Sequence, residues 1–172
     1  MRFVVAALGV AIATAAPAAA MELTSPDIKN GATAPKSIVG RDCGGRNIAP
    51  ALSWSGAPTG TQSFTVMVYD PDAGPTGFHH WIVVDIPPKV TSLPEGGALP
   101  AGAIAGVNDY AEARYGGPCP PKGDKPHHYL FQVWAEDQPV YPYPQSTSGI
   151  YVRPWMHMHG IGKAEIAVTY GR

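Results

Sequence analysis

The sequence predicts a mainly β protein, an antiparallel β-sandwich with at most one or two short helices. Two observations carry this prediction. Short segments rich in β-branched and aromatic residues recur along the chain, and 20 Gly and 19 Pro among the 172 residues punctuate it. Many turn-forming residues between short strands are typical of a sandwich whose loops gather at its ends.

The first element along the chain is an export signal over residues 1–20. Arg2 supplies one early positive charge, an apolar run follows, and small residues end the segment at Ala20. This layout is typical of a secretory signal peptide, and the apolar run is too short to span a membrane. We therefore expect no membrane span, and a single domain over residues 21–172 in the periplasm or outside the cell.

Four strands and one short helix follow. Each strand segment is rich in β-branched and aromatic residues and is bounded by Gly and Pro. The predicted strands cover residues 64–69, 81–86, 128–135 and 164–170. Only residues 151–162 have room for a helix, which Pro154 and Gly160 limit to about two turns.

Two cysteines, Cys43 and Cys119, lie in the predicted mature chain. An even number of cysteines in an exported protein indicates a disulfide. The alternative is a pair of free buried thiols, because the sequence does not reveal whether the two Cα atoms lie within bonding reach.

Strand alternation directs several polar side chains toward one rim of the core. Asp70 ends the apolar face of one strand, His80 begins that of the next, and His127 and Tyr129 begin that of a third, while His79 points away. The face assigned to His80 also contains Ile82, Val84 and Ile86. If the three faces meet, these groups form a small polar pocket with an apolar floor.

The loop GGPCPPKG, residues 116–123, stands just before His127. Its glycines leave backbone N–H groups accessible, so it could cradle an anion such as phosphate, sulfate or acetate. The alternative is a connecting loop that proline holds rigid.

Three motifs in this order resemble the phosphatidylethanolamine-binding protein family. They are DPDAGP at 70–75, HHWIVV at 79–84, and GGPCPPKG followed by HHY at 127–129. The resemblance covers essentially the whole predicted mature chain, and it is nearest to the bacterial branch described as Raf-kinase-inhibitor-like.

The resemblance implies a β-sandwich with a small anion-binding cavity near one end. It assigns ligand binding to Asp70, Asp72, His80, Gly116, Gly117, Pro118, Pro120, His127 and Tyr129. Asp72 is expected mainly to hold its turn by accepting hydrogen bonds from backbone N–H groups. The resemblance implies no catalytic residue, metal or cofactor.

Three positions depart from the family pattern. Gly74 is an additional residue in the DPDAGP motif, His128 stands where many relatives carry arginine, and Asp85 stands where asparagine is common. The first is expected to reshape the rim of the cavity, and the second removes a fixed positive charge near it.

We therefore expect a protein that binds a small anionic ligand, such as phosphate or phosphoethanolamine, by recognition without turnover. Protonated His80 and His127 would attract the anion, and Tyr129 would donate a hydrogen bond to it. A first alternative, implied by the resemblance, is an inhibitor or interaction protein for an extracytoplasmic protease or kinase. The sequence leaves the oligomeric state open.

A second alternative is a metal site built from His79, His80, His157 and His159, since imidazole suits zinc and copper. Hydrolytic catalysis is disfavoured because the sequence lacks a G-x-S-x-G nucleophile elbow. Nucleic acid is disfavoured as a partner because the formal net charge is −1 and Lys and Arg do not cluster.

Overall fold

The computed structural model describes residues 20–142 and 147–172. It contains two antiparallel sheets, in which the strands are ordered β1-β2-β5 and β6-β4-β3-β7-β8. The elements are β1 (Glu22–Thr24), a 3-10 turn (Arg41–Cys43), β2 (Leu52–Ser55), β3 (Ser63–Asp70), β4 (Phe78–Ile86), β5 (Ser92–Leu93), β6 (Ile104–Ala105), β7 (His127–Glu136), α1 (Gly149–His159) and β8 (Gly160–Tyr170). The predicted mainly β sandwich is confirmed.

The predicted export signal lies outside the described residues, apart from Ala20. Within the described ranges, no helix is long and apolar enough to cross a membrane.

The five-stranded sheet is covered on both faces. Its inner face packs against the three-stranded sheet around a main core that includes Trp54, Phe64 and Phe131. Its outer face packs under α1 around a second cluster that includes Met67 and Met156. Because both faces are covered, every residue of the central strand β3 is buried.

Strand β4 changes the direction of its side chains at a bulge. Val68 pairs with Trp81 and Tyr69 pairs with His79, so His80 has no paired residue in β3. An extra residue in one strand interrupts the alternation of faces. His80 and Trp81 consequently both lie on the side of the main core.

The face predicted for His80 is therefore wrong beyond the bulge. Ile82 and Val84 belong to the second cluster, on the side of α1. A further irregularity near Asp85, whose φ is 58°, returns Ile86 to the main core. Alternation cannot reveal these two interruptions, because it assumes an unbroken strand.

Helix α1 begins before its predicted start and spans 11 residues, about three turns rather than two. Pro154 lies inside it and cannot donate to the carbonyl of Ile150. Ile150 is 61% exposed, so water can reach this part of the helix and the lost bond is tolerated. Strand β8 begins directly afterwards at Gly160, four positions before the predicted boundary.

The predicted disulfide is present between Cys43 and Cys119, whose Cα atoms are 5.5 Å apart. The bond joins the 3-10 turn to the loop that precedes β7. Gly40 N–H reinforces the same connection by donating to the Pro118 carbonyl at 3.0 Å.

We expect the double variant Cys43→Ala, Cys119→Ala to have a lower free energy of unfolding, by roughly 2–4 kcal/mol, because the bond closes a long loop in the unfolded chain. The sequence separation of the two cysteines is 76 residues. Urea unfolding measures the change. The reduced wild-type protein is the control and should match the variant, whereas an unchanged midpoint in both would contradict the prediction.

Candidate ligand-binding site

A cavity of about 380 Å³ opens at the end of the main core. It is lined by Asp70, Asp72, Ala73, Gly74, Phe78, His80, Tyr110, Cys119, Pro120, Pro121, Asp124, His127 and Tyr129. Six of the nine ligand residues predicted from the sequence are therefore in the lining.

A buried Asp–His pair forms the centre of the cavity. Asp70 is the last residue of β3 and His127 is the first residue of β7, and the two are 2% and 6% exposed. His127 Nδ1 lies 2.8 Å from Asp70 Oδ2. A carboxylate oxygen accepts from an imidazole N–H, so Asp70 fixes the orientation of the ring and leaves Nε2 as its other polar atom.

The second histidine of the cavity, His80, is bound to the loop before β7. Its Nδ1 lies 2.8 Å from the Gly116 carbonyl oxygen, and Gly116 N–H donates to the His80 carbonyl at 2.9 Å. The bulge in β4 turns the ring toward the cavity, where it packs edge-on against Tyr129 with the ring centroids 5.2 Å apart.

His80 does not have the positive charge that the sequence analysis assigned to it. Burial lowers the pKa of His80 from 6.5 to about 4, and this effect outweighs the opposing hydrogen bond to Gly116 and the charge of Asp70. The imidazole is therefore neutral near neutral pH, with its proton on Nδ1, because a carbonyl oxygen can only accept.

Tyr129 contributes a buried hydroxyl group that lies near Asp70 but makes no hydrogen bond of normal geometry. Its side chain is fully buried, it lines the cavity, and its hydroxyl oxygen makes no hydrogen bond. Burial, with the nearby Asp70 charge, raises the pKa of Tyr129, so the hydroxyl keeps its proton. An unpaired donor of this kind is suited to binding a ligand oxygen.

Asp72 links the turn after β3 to the start of β7. Its Oδ2 accepts from the backbone N–H of His128 at 2.7 Å and lies 2.8 Å from His128 Nδ1. The backbone N–H of His128, chiefly, lowers the pKa of Asp72. Asp72 therefore accepts a hydrogen bond from a backbone N–H group, as the resemblance implied. That N–H group belongs to the neighbouring strand β7 rather than to the turn that contains Asp72.

The glycine loop does not offer its N–H groups to the cavity as the sequence analysis expected. Gly116 N–H donates to His80, and Gly117 N–H donates to Asn47 Oδ1 at 2.6 Å. A Cβ atom on Gly117 would collide with the Ile38 carbonyl oxygen. The glycines are needed for close packing of the loop, and Pro118 lines neither this cavity nor the depression beside it.

That second depression, of about 550 Å³, adjoins the cavity and shares Tyr110 and Cys119 with it. Gly116 and Gly117 line the depression, together with three arginines. We place the candidate site in the smaller cavity, because the buried and unpaired polar groups converge there.

Three contributors to the lining lie outside the motifs that the sequence analysis singled out: Phe78, Tyr110 and Asp124. Phe78 immediately precedes the histidine pair. Because it is two positions before His80 in a strand, strand alternation could have placed it on the same face. Tyr110 and Asp124 lie in loops, where no periodicity indicates which way a side chain points.

The four histidines considered as metal ligands are not brought together. His79 and His80 lie on opposite faces of β4, and His159 Nδ1 lies 3.0 Å from Asp137. In the described part of the chain, no group of three or more His, Cys, Asp or Glu side chains is arranged to hold a metal ion.

Comparison with protein families and curated sequences gives one consistent relationship. The family model for phosphatidylethanolamine-binding protein matches residues 24–171. The UPF0098 protein YbcL of Escherichia coli K12 is 48% identical over 169 residues, covering 92% of each chain. The UPF0098 protein YbhB of the same organism is 37% identical over 159 residues, covering 87% of this chain and 99% of its own.

Solved structures agree with the sequence comparison. The crystal structure of E. coli YbcL, described as a new member of the mammalian PEBP family, matches with a TM-score of 0.84 and 46% identity, covering 90% of this chain and 99% of that one. The structure of CT736 from Chlamydia trachomatis, described as a putative phosphatidylethanolamine-binding protein homologue, matches with a TM-score of 0.75 and 34% identity, covering 89% and 98%.

The neutral state of His80 predicts a specific pH dependence of stability. The unfolded chain binds a proton on His80 at pH values where the folded protein does not, so the free energy of unfolding falls as the pH falls from about 6.5 toward 4. We expect this residue to account for a loss of about 2 kcal/mol between roughly pH 7 and 4.5.

The variant His80→Gln provides the comparison for this prediction, because glutamine does not titrate and can still donate to the Gly116 carbonyl. Urea unfolding of both proteins across the pH range isolates the contribution of His80 from those of the other titrating groups. Parallel stability profiles for the two proteins would contradict the prediction.

Proposed function

The chain belongs to the phosphatidylethanolamine-binding protein family, and from this premise we propose that it binds a small oxyanion or phosphoryl head group in the cavity between Asp70 and Tyr129. It acts by recognition rather than by turnover. The family description suggests a phosphoryl head group, and the side chains of this cavity offer partners for its oxygens.

The observation that carries the proposal is the unpaired hydroxyl of Tyr129. A buried polar group without a partner destabilises a protein by about 1–3 kcal/mol, and native proteins keep few such groups. The Tyr129 hydroxyl belongs to the lining of a cavity. A ligand oxygen that accepts from this hydroxyl would remove the penalty.

The Asp70–His127 pair adds orientation. The hydrogen bond from His127 Nδ1 is held within a buried pair at 2.8 Å, so the ring does not have to be ordered when a ligand arrives. When protonated, His127 donates from Nε2 and provides a cation for an anionic ligand.

The lining favours binding over catalysis. The only Ser, Thr, Cys or Lys side chain among the described residues of the lining is Cys119, which is in the disulfide. The N–H groups of Gly116 and Gly117 donate to His80 and to Asn47, so these two groups are not directed at an oxyanion in the cavity. Nucleophilic catalysis by a hydroxyl, thiol or amine would need both that group and such donors.

Export is a further part of the proposal. The layout of residues 1–20 is typical of a signal peptide, and the Cys43–Cys119 disulfide is of a kind that persists in oxidising compartments. We therefore propose that the protein works in the periplasm or outside the cell.

We expect Tyr129→Phe to bind inorganic phosphate about tenfold or more weakly than the wild type, because hydrogen bonds to charged groups are worth about 1.5–3 kcal/mol. Titration calorimetry measures the affinity. The same variant should have a similar free energy of unfolding, because the deleted hydroxyl makes no hydrogen bond of normal geometry in the folded protein.

Tyr115→Phe is the matched control. Its hydroxyl is also buried, but it donates to the Ile38 carbonyl at 2.9 Å and lies outside the lining. We expect this variant to lose about 1 kcal/mol of stability and to keep its affinity. Unchanged phosphate affinity in Tyr129→Phe, in a protein that binds phosphate, would refute the role of the hydroxyl.

Export is tested by expressing the full chain in a Gram-negative host and measuring the intact mass of the protein released by osmotic shock. We expect a mature chain that begins at Met21, with both cysteines resistant to alkylation until they are reduced. A full-length cytoplasmic product with reactive thiols would refute this part of the proposal.

A further inference from the structure

We propose that the cavity selects an oxyanion that carries its own proton, such as a singly protonated phosphate monoester, and rejects fully ionised anions of the same charge and shape. This inference rests on the proposed function and specifies the ionic form of the ligand. It follows from the acidic lining of the cavity, which does not complement the negative charge of an anion.

The lining of the cavity is acidic. It contains the carboxylates of Asp70, Asp72 and Asp124, and no lysine or arginine among the described residues of the lining. His127 lies 2.8 Å from Asp70, and His128 lies 2.8 Å from Asp72. Protonation of both rings would still leave one carboxylate uncompensated, so the cavity has no excess of positive charge for an anion.

The arginines of this region line the adjoining depression. Arg114 donates two hydrogen bonds to the Glu112 carboxylate, at 2.6 and 2.9 Å. Arg172 Nε donates to the Pro120 carbonyl at 2.8 Å. Arg41 also lines the depression and is absent from the lining of the cavity. These guanidinium groups therefore do not change the acidic character of the smaller cavity.

The imidazole of His80 adds an acceptor to the cavity. Its proton is on Nδ1, which lies 2.8 Å from the Gly116 carbonyl oxygen. Nε2 then carries a lone pair, and within the described residues no group donates to it. Because the ring lines the cavity, a ligand that is to satisfy Nε2 must bring a donor.

The surroundings of His80 keep this lone pair free. The titratable groups that face the ring are Asp70, Asp109, His79, Tyr110 and Tyr129. The two carboxylates favour the protonated ring and His79 disfavours it, but burial outweighs all three. The ring therefore does not supply the missing proton near neutral pH.

A singly protonated phosphate monoester meets both requirements of the cavity. Its P–O–H group can donate to His80 Nε2, and its other oxygens can accept from the Tyr129 hydroxyl. A sulfate monoester has the same charge and nearly the same shape but only acceptors, so one of its oxygens would face a lone pair or a carboxylate. A phosphate dianion lacks the donor and adds a second negative charge.

Methyl phosphate and methyl sulfate form a matched pair for the test. Both are monoanions at about pH 5, below the second pKa of a phosphate monoester, which is about 6. They differ in one proton. Titration calorimetry of the mature protein, in a buffer free of phosphate, sulfate and carboxylates, should show methyl phosphate binding at least about tenfold more tightly.

The pH profile separates the proton of the ligand from those of the protein. Methyl sulfate does not titrate between about pH 5 and 8, so its profile reports the protein groups alone. If only singly protonated methyl phosphate binds, its affinity relative to methyl sulfate falls about 100-fold over this range, because about 1% of it remains protonated at the upper end.

Asp124→Asn tests whether the carboxylates cause the discrimination. This carboxylate is half exposed and lies 3.7 Å from His127 Nε2, so the substitution removes charge without removing shape. We expect it to raise the affinity for methyl sulfate about threefold or more. The preference for methyl phosphate over methyl sulfate should decrease accordingly. Glu95→Gln, which is exposed and outside the lining, removes the same charge elsewhere and should leave both affinities unchanged.

Equal affinities for the two anions at about pH 5, or an affinity for methyl phosphate that rises toward pH 8, would overturn the inference and leave the proposed function intact. Failure of methyl phosphate, methyl sulfate and inorganic phosphate to bind would overturn the proposed function as well.

Discussion

The reciprocal hydrogen bonds between His80 and Gly116 are the interaction on which the site depends. One joins the His80 ring to the Gly116 carbonyl and the other joins the Gly116 N–H to the His80 carbonyl, at 2.8 and 2.9 Å. Together they hold the bulged part of β4 against the loop before β7, and they determine which ring nitrogen carries the proton. Cys119 lies in the same loop, three residues after Gly116. The loop is therefore held at two points, by the disulfide to Cys43 and by the hydrogen bonds to His80.

Strand alternation predicted part of the site correctly, and the reason is visible in the register. β3 and β7 pair continuously from Ser63 with Glu136 to Tyr69 with Leu130, so Asp70, His127 and Tyr129 can be assigned to one face from the sequence alone. β4 is different, because its bulges interrupt the alternation. The position of His80 beside these residues was predicted, but Ile82 and Val84 were wrongly placed on the same face.

The loops resisted prediction for a physical reason. Glycine in the 116–123 loop is compatible both with an exposed N–H group and with close backbone packing, and only the neighbours of Gly117 decide between them. Tyr110 and Asp124 reach the cavity because of loop paths that no local pattern encodes. The charge state of His80 likewise depends on burial, which a sequence motif does not specify. The family resemblance indicated where the candidate site lies, and the three-dimensional surroundings indicated the hydrogen-bonding groups in it.

The full burial of β3 has a kinetic consequence. This strand is hydrogen-bonded to β4 on one side and β7 on the other, and it is covered on both faces. Backbone amides in such a strand exchange with solvent mainly when the whole domain opens. Asp70 is the last residue of this strand, and its partner His127 begins the adjacent one. The Asp70–His127 pair is therefore held by strands that lose their structure only when the domain opens.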